Sequence, residues 1–191
     1  PSSASCVVLV TSRRRLTSLV VANAAHRLHL EAPSESEAHE LLAARIGAKR
    51  KAFEPDAGRE IVDACDRLPL ALALTAAYVT DRPDRSLAFV AERLSGPPGR
   101  LDAFEVGGDG PSLRSVFAPS YEALAPPAAR LIRLLGLHPT KHFTVEVAAS
   151  LAGVDAAEAS GLLAELCDHY LVTERHRSRF HLPLLQLRYV A

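Results

Sequence analysis

From Pro33 onward the apolar residues recur at helical spacing in short segments, each opened by a cap residue or a proline, and this punctuation excludes an all-β fold. Ser34 with Glu37 spells a capping box; Ala38, Leu41, Leu42 and Ile46 then mark one face, and Gly47 supplies the stop. Asp56 is expected to cap a second helix carrying Ile61, Val62 and Cys65. Pro69 fits the first turn of a third, very apolar helix reaching about Tyr78, and Ser86 starts a fourth that ends near Ser95 and Gly96.

Before these helices stands CVVLVT, from Cys6 to Thr11, a β-branched run bounded by polar residues. Such a run predicts a strand covered on both faces in a parallel α/β sheet, and HRLHL from His26 to Leu30 predicts one more alternating strand. Two strands are too few for a sheet of their own. The start of the chain therefore reads as the edge of a larger domain.

Glycine and proline crowd GPPGR and the stretch from Gly107 to Pro111, the expected linker between two modules. Helical patterns follow at 113–124, 128–135, 145–151 and 156–168, with Thr144 and Asp155 as caps for the last two. LVTE, a polar turn at 175–178 and RFHL complete a hairpin. Short helices followed by a two-stranded hairpin is the order of a winged-helix domain.

Charge and cysteine usage narrow the classes. The 22 basic and 22 acidic side chains cancel, so any surface for phosphates must be local. The helix at 156–168 and its cap, which would enter a groove, carry Asp155, Glu158, Glu165 and Asp168 and no basic residue, which argues against its reading a DNA groove. Cys6, Cys65 and Cys167 lack CxxC spacing and predict buried, reduced thiols in a cytoplasmic protein. Cys167, His169, His176 and His181 cluster in sequence without the paired spacing a zinc site favours. The longest nearly apolar run, Leu68 to Val79, is too short to span a bilayer.

Several strings, in order and over nearly the whole chain, resemble signal-transduction ATPases of the NB-ARC or STAND type, specifically the modules inside actinobacterial antibiotic-regulatory transcription factors. VLVTSRRRL is similar to the family's sensor strand, CDRLPLALAL to its GLPLA segment, and SYEALAPPAARLIRLLGLHP through LVTERHRSRFHLPLLQLRYVA to its winged helix and closing MHD segment. The resemblance implies a mainly α chain with short β segments: the last strands of a P-loop-type nucleotide-binding sheet in 1–32, a helical lid in 33–106, a linker at 107–111 and a winged helix in 112–191.

It further implies a nucleotide-dependent switch in a transcriptional regulator. Arg13 would be the sensor arginine, with Thr11 and Ser12 at the same strand end. Leu68 and Pro69 would pack near the adenine, and His181 would occupy the closing segment's histidine position. ADP or ATP with Mg would bind in the complete parent domain. The implied partners are an upstream P-loop subdomain of the same protein and a second copy in self-association, with DNA met only through another domain and no membrane.

The chain departs from the family pattern in three places. None of Lys49, Lys51 and Lys141 follows a glycine, so GxxxxGK[ST] is absent and hydrolysis by this chain alone is not expected. Arg67 stands where GLP has glycine. A gapless alignment puts Pro183 and Leu184 at the His-Asp pair of MHD, and a shift of two places brings His181 onto the histidine with Leu182 in place of the aspartate. These departures favour the alternative of a degenerate interaction scaffold without nucleotide; a DNA-binding winged-helix regulator is the third reading.

Overall fold

A computed structural model describes residues 6–47, 50, 54–96, 112–175 and 178–190. Its helices are α1 (Thr17–Asn23), α2 (Glu35–Ile46), α3 (Pro55–Ala64), α4 (Pro69–Asp81), α5 (Leu87–Ser95), α6 (Leu113–Glu122), α7 (Pro126–Gly136), α8 (Val145–Ala152), α9 (Ala156–Asp168) and α10 (Leu184–Val190). Three short strands, β1 (His142–Thr144), β2 (Thr173–Arg175) and β3 (Arg179–His181), form an antiparallel sheet in the order β1-β3-β2.

The helices from α2 to α5 build the first core. The Ser34–Glu37 capping box is present, and Gly47 closes α2 at φ 91°, a conformation glycine adopts without steric cost. Helix α4 is apolar nearly all round and buries Ala71, Leu72, Leu74, Thr75, Ala76, Tyr78 and Val79, as the central helix of a bundle must. Helix α2 lies against α3 and α4, and α3 against α5. At the start of α3, Glu54 holds the cap position, while Asp56, the expected cap, sits inside the first turn and pairs with Arg59 at 3.0 Å. Glu54 instead accepts hydrogen bonds from the Leu87 and Ala88 amides, both at 3.0 Å, and so satisfies the first turn of α5 together with Ser86.

The turn from α3 into α4 is tight. Asp66 and Arg67 take φ values of 48° and 57°, and the Arg67 amide donates to the Val62 carbonyl at 3.2 Å in a Schellman-type closure. Arg67 thus adopts the left-handed backbone for which glycine, its counterpart in the resemblance, is suited; Asp66 beside it belongs to a residue type that tolerates this region.

The second core gathers α7, α8, α9 and the sheet around Leu131, Ile132, Leu135, Leu163 and Leu166. Asp155 caps α9 by accepting from the Glu158 amide at 2.8 Å. Thr144 occupies the cap position of α8 without a bond to the helix amides; it hydrogen-bonds Glu146 instead, which holds that carboxyl below its ordinary value. Phe143 and Phe180, opposite each other on β1 and β3, stack with centroids 6.0 Å apart. Helix α6 and the closing helix α10 tie the two cores together, since Leu113, Phe117 and Leu185 are buried with the first core, whereas Leu187 and Val190 pack on the second. Tyr189 meets both Phe117 and Tyr121 at 5.9 and 5.7 Å.

The first thirty residues correct the expected sheet. Neither 6–11 nor 26–30 forms a strand; Val7 and Leu9 are 94% and 82% exposed, and Leu30 is 91% exposed. A strand requires a neighbour to satisfy its backbone groups, and no sheet lies beside these segments among the described residues. Helix α1, between them, buries none of its residues. Cys6, expected to be buried, is exposed at the head of this segment, while Cys65 and Cys167 lie in the two cores. The Gly- and Pro-rich stretch with the expected linker, and His176 and Arg177 of the hairpin turn, lie outside the described residues. No single helix among the described residues is long and apolar enough to cross a membrane.

Candidate functional site

The junction between the α3–α4 turn and the closing segment holds the buried Arg188 and a long-range hydrogen bond. The Leu185 amide, in the first turn of α10, donates to Asp66 Oδ2 at 3.0 Å across 119 residues of sequence. One turn further along α10 lies Arg188, 5% exposed, with the Asp66 carboxylate and the Cys65 thiol as neighbours. Burial lowers the Arg188 pKa, opposed by those two groups, and a guanidinium so shifted still carries its charge. Among the described residues no carboxylate comes within ion-pair distance of it. Cys65 is an inert core thiol: burial pushes it up to about 12, against the hydroxyl of Thr75 at 3.5 Å.

His181 ends β3 and stacks on His142 of β1, centroids 4.6 Å apart. Its Nδ1 is buried without a hydrogen-bond partner. Burial holds its pKa below the ordinary value, reinforced by His142, Arg175 and Lys141 and opposed by Asp66. The folded protein therefore binds a proton at His181 less readily than the unfolded chain. This contribution to stability is complete above about pH 6.5 and is lost as pH falls from there through the lowered folded pKa. Thermal midpoints should accordingly decline on acidification, and His181→Gln should flatten that decline; an identical profile in the variant would contradict the assignment.

The residues expected at a nucleotide fall into two groups. Leu68 caps α4, with Pro69 exposed at its first position, so both flank the turn that holds Asp66 near His181. Thr11, Ser12 and Arg13 lie on the exposed N-terminal segment, where Ser12 accepts from the Arg14 amide at 2.9 Å. Arg13 donates to the Val116 carbonyl of α6 at 2.7 Å. Among the described residues, no hydrogen bond or ion pair joins this group to Leu68, Pro69 or His181.

Asp66, Arg188 and Arg15 are functional candidates that motif reading passed over. Arg15 anchors the N-terminal segment to the end of α9: its amide donates to the Asp168 carbonyl at 3.3 Å, its side chain faces the Asp168 carboxylate at 3.9 Å, and it lies 5.9 Å from the Tyr170 ring centroid. His29 stacks on the same ring at 5.6 Å. Only the VTSRRRL string, with several arginines after the expected strand, carried a trace of this anchor in sequence.

No protein-family model matches the chain. Over 180 residues, 94% of its length, the chain is 32% identical to the regulatory protein AfsR of Streptomyces griseus. The chain is homologous to a part of AfsR. The match to the regulatory protein AfsR of Streptomyces coelicolor is 31% identical over 183 residues, 95% of the chain. The chain spans 18% of the length of each of these curated relatives.

Proposed function

We propose that the chain is part of a nucleotide-dependent conformational switch in a transcriptional regulator of the AfsR kind, acting in the cytoplasm. In this reading residues 33–106 are the lid, 107–111 the linker and 112–191 a winged helix used for packing. The segment 1–32, without strands among its described residues, would pair as strands only against a nucleotide-binding sheet completed by an upstream P-loop subdomain. The observation that carries the reading is the Asp66–Leu185 hydrogen bond, which joins the LPLA turn to the closing segment where the family resemblance places both beside a nucleotide.

The side chains present suit such a ligand. Pro69 has no amide to leave unsatisfied at a helix start, and Leu68 beside it offers an apolar surface for a base. His181 has a buried ring nitrogen to spare, and Arg13 supplies a permanently charged, multi-donor group for a terminal phosphate. ADP or ATP with Mg would supply the phosphate charge that these residues recognise. A ligand that contacts lid and closing segment differently in its two forms biases their relative position, which is all a switch needs. DNA would be met through another domain of the regulator, and self-association is compatible with the arrangement.

The test is thermal unfolding of the protein extended upstream through its P-loop, with and without Mg-ADP or Mg-ATP. Saturation at a hundredfold excess over Kd corresponds to about 2.7 kcal/mol of stabilisation. Arg13→Ala should weaken the response to ATP more than to ADP. Absence of a shift with either nucleotide would refute the switch.

One observation favours the alternative, a scaffold without nucleotide. Pro183 and Leu184, at the positions of the family's polar pair, are apolar and stand at the start of α10. The same experiment decides between them.

A further inference from the structure

His181 sits on the central strand β3, with His142 of β1 and Thr173 of β2 opposite it on either side. Its ring stacks on that of His142 at 4.6 Å between centroids, and its buried Nδ1 has no hydrogen-bond partner. A neutral ring can carry its proton on Nε2 and leave Nδ1 a bare acceptor, whereas an imidazolium adds a charge and puts an N–H at both positions. In this place the buried N–H would have no acceptor, which is costly. Charged and titratable groups act on the ring from three sides: His142 and Lys141 at β1, Arg175 on β2, and Asp66 in the α3–α4 turn. Only Asp66 favours a positive charge there; the other three oppose it.

The next residues make this ring part of a fastening. The Leu182 amide donates to the Lys141 carbonyl at 2.9 Å, and Leu182 is buried in the second core. Pro183 then leads into α10, whose Leu185 amide is held by Asp66 and whose side chains pack on both cores. A ring that must reach water to take up a proton has to leave the stack, and the Leu182–Lys141 bond is the next contact along the chain.

We propose that the His142–His181 stack is an acid-released latch: the neutral ring holds the closing segment on β1, and uptake of one proton by His181 frees the end of β3 and α10 while the two cores stay folded. The latch needs no nucleotide and is independent of the switch reading above. The open form binds the proton and the closed form resists it, because burial and the nearby cations hold the closed-form pKa of His181 below its ordinary value. The opening constant therefore rises as pH falls from about 6.5, by up to about tenfold per pH unit, and levels off below the lowered pKa.

Amide hydrogen exchange on the 191-residue chain, corrected for the intrinsic pH dependence of exchange, reads this opening. At Leu182 and Leu185 the opening constant should follow that rise, while amides inside α4, such as that of Leu74, keep their neutral-pH protection. His181→Gln, which stays polar and does not titrate, should hold Leu182 exchange level over the same range. Arg175→Gln, a change on the exposed strand β2 that should not disturb folding, removes one of the charges opposed to the imidazolium and should shrink the rise. No rise in the unaltered chain, or an undiminished one in either variant, overturns the latch. So does an equal rise at Leu74, which would mean that acid unfolds the first core instead of releasing one segment.

Discussion

Leu72→Ala is expected to lower the unfolding free energy by about 2–5 kcal/mol, toward the upper half of that range. Leu72 is fully buried in the first turn of α4, within the first core, so the neighbouring helices cannot close the void without leaving their own contacts. Since small proteins are stable by only about 5–15 kcal/mol, a loss of this size would leave the first core partly unfolded near physiological temperature. Urea titration followed by far-ultraviolet circular dichroism measures it, and a midpoint within error of the parent would show that α4 is not central to the core. Leu72→Met, which keeps the volume, should cost less than about 1.5 kcal/mol.

Asp66→Ala is expected to cost about 2–4 kcal/mol, through three effects at one residue. It leaves the half-buried Leu185 amide without its acceptor, it strips Arg188 of its nearest carboxylate, and it places a less tolerant residue at φ 48°. The loss should fall on the junction first: α10 would fray, and amide exchange at Leu185 and the residues after it would accelerate while the interior of α4 stays protected. Asp66→Asn keeps an acceptor and tolerance of the left-handed backbone, and should recover roughly half of the loss. Equal exchange rates at Leu185 in all three proteins would mean that Asp66 does not join the two cores.

Much of the helical architecture could be read from punctuation. The Ser34–Glu37 box, Pro69 at a helix start, Ser86 and Asp155 all sit where local hydrogen-bonding rules put them, because a cap acts within three residues of itself. Glu54 shows the limit of such rules. Its carboxylate caps a helix 33 residues away, and no local pattern signals that partner. Asp56, the better cap by type, lost its place to a residue whose position was set by α5.

The N-terminal segment shows a different limit. CVVLVT has the composition of a covered strand, and composition reports what the segment can bury, not what is present to cover it. With no neighbouring strand among the described residues it forms no strand and is exposed, and the chain after it is held at Arg13 and Arg15.

At the candidate site, the sequence by itself determined which strings stand at the ends of helices: Leu68 and Pro69 at the start of α4, and His181 just before α10. It could do so because helix starts are local. Only the tertiary structure decided that the turn before Pro69 meets the closing helix, that Asp66 binds the Leu185 amide, and that Arg188 is buried near that carboxylate. Those contacts join residues more than a hundred positions apart, and they arise because α6 and α10 share buried residues with the first core while α10 also packs on the second. Burial is what sets Arg188 apart from the exposed arginines, and burial belongs to the packed molecule as a whole.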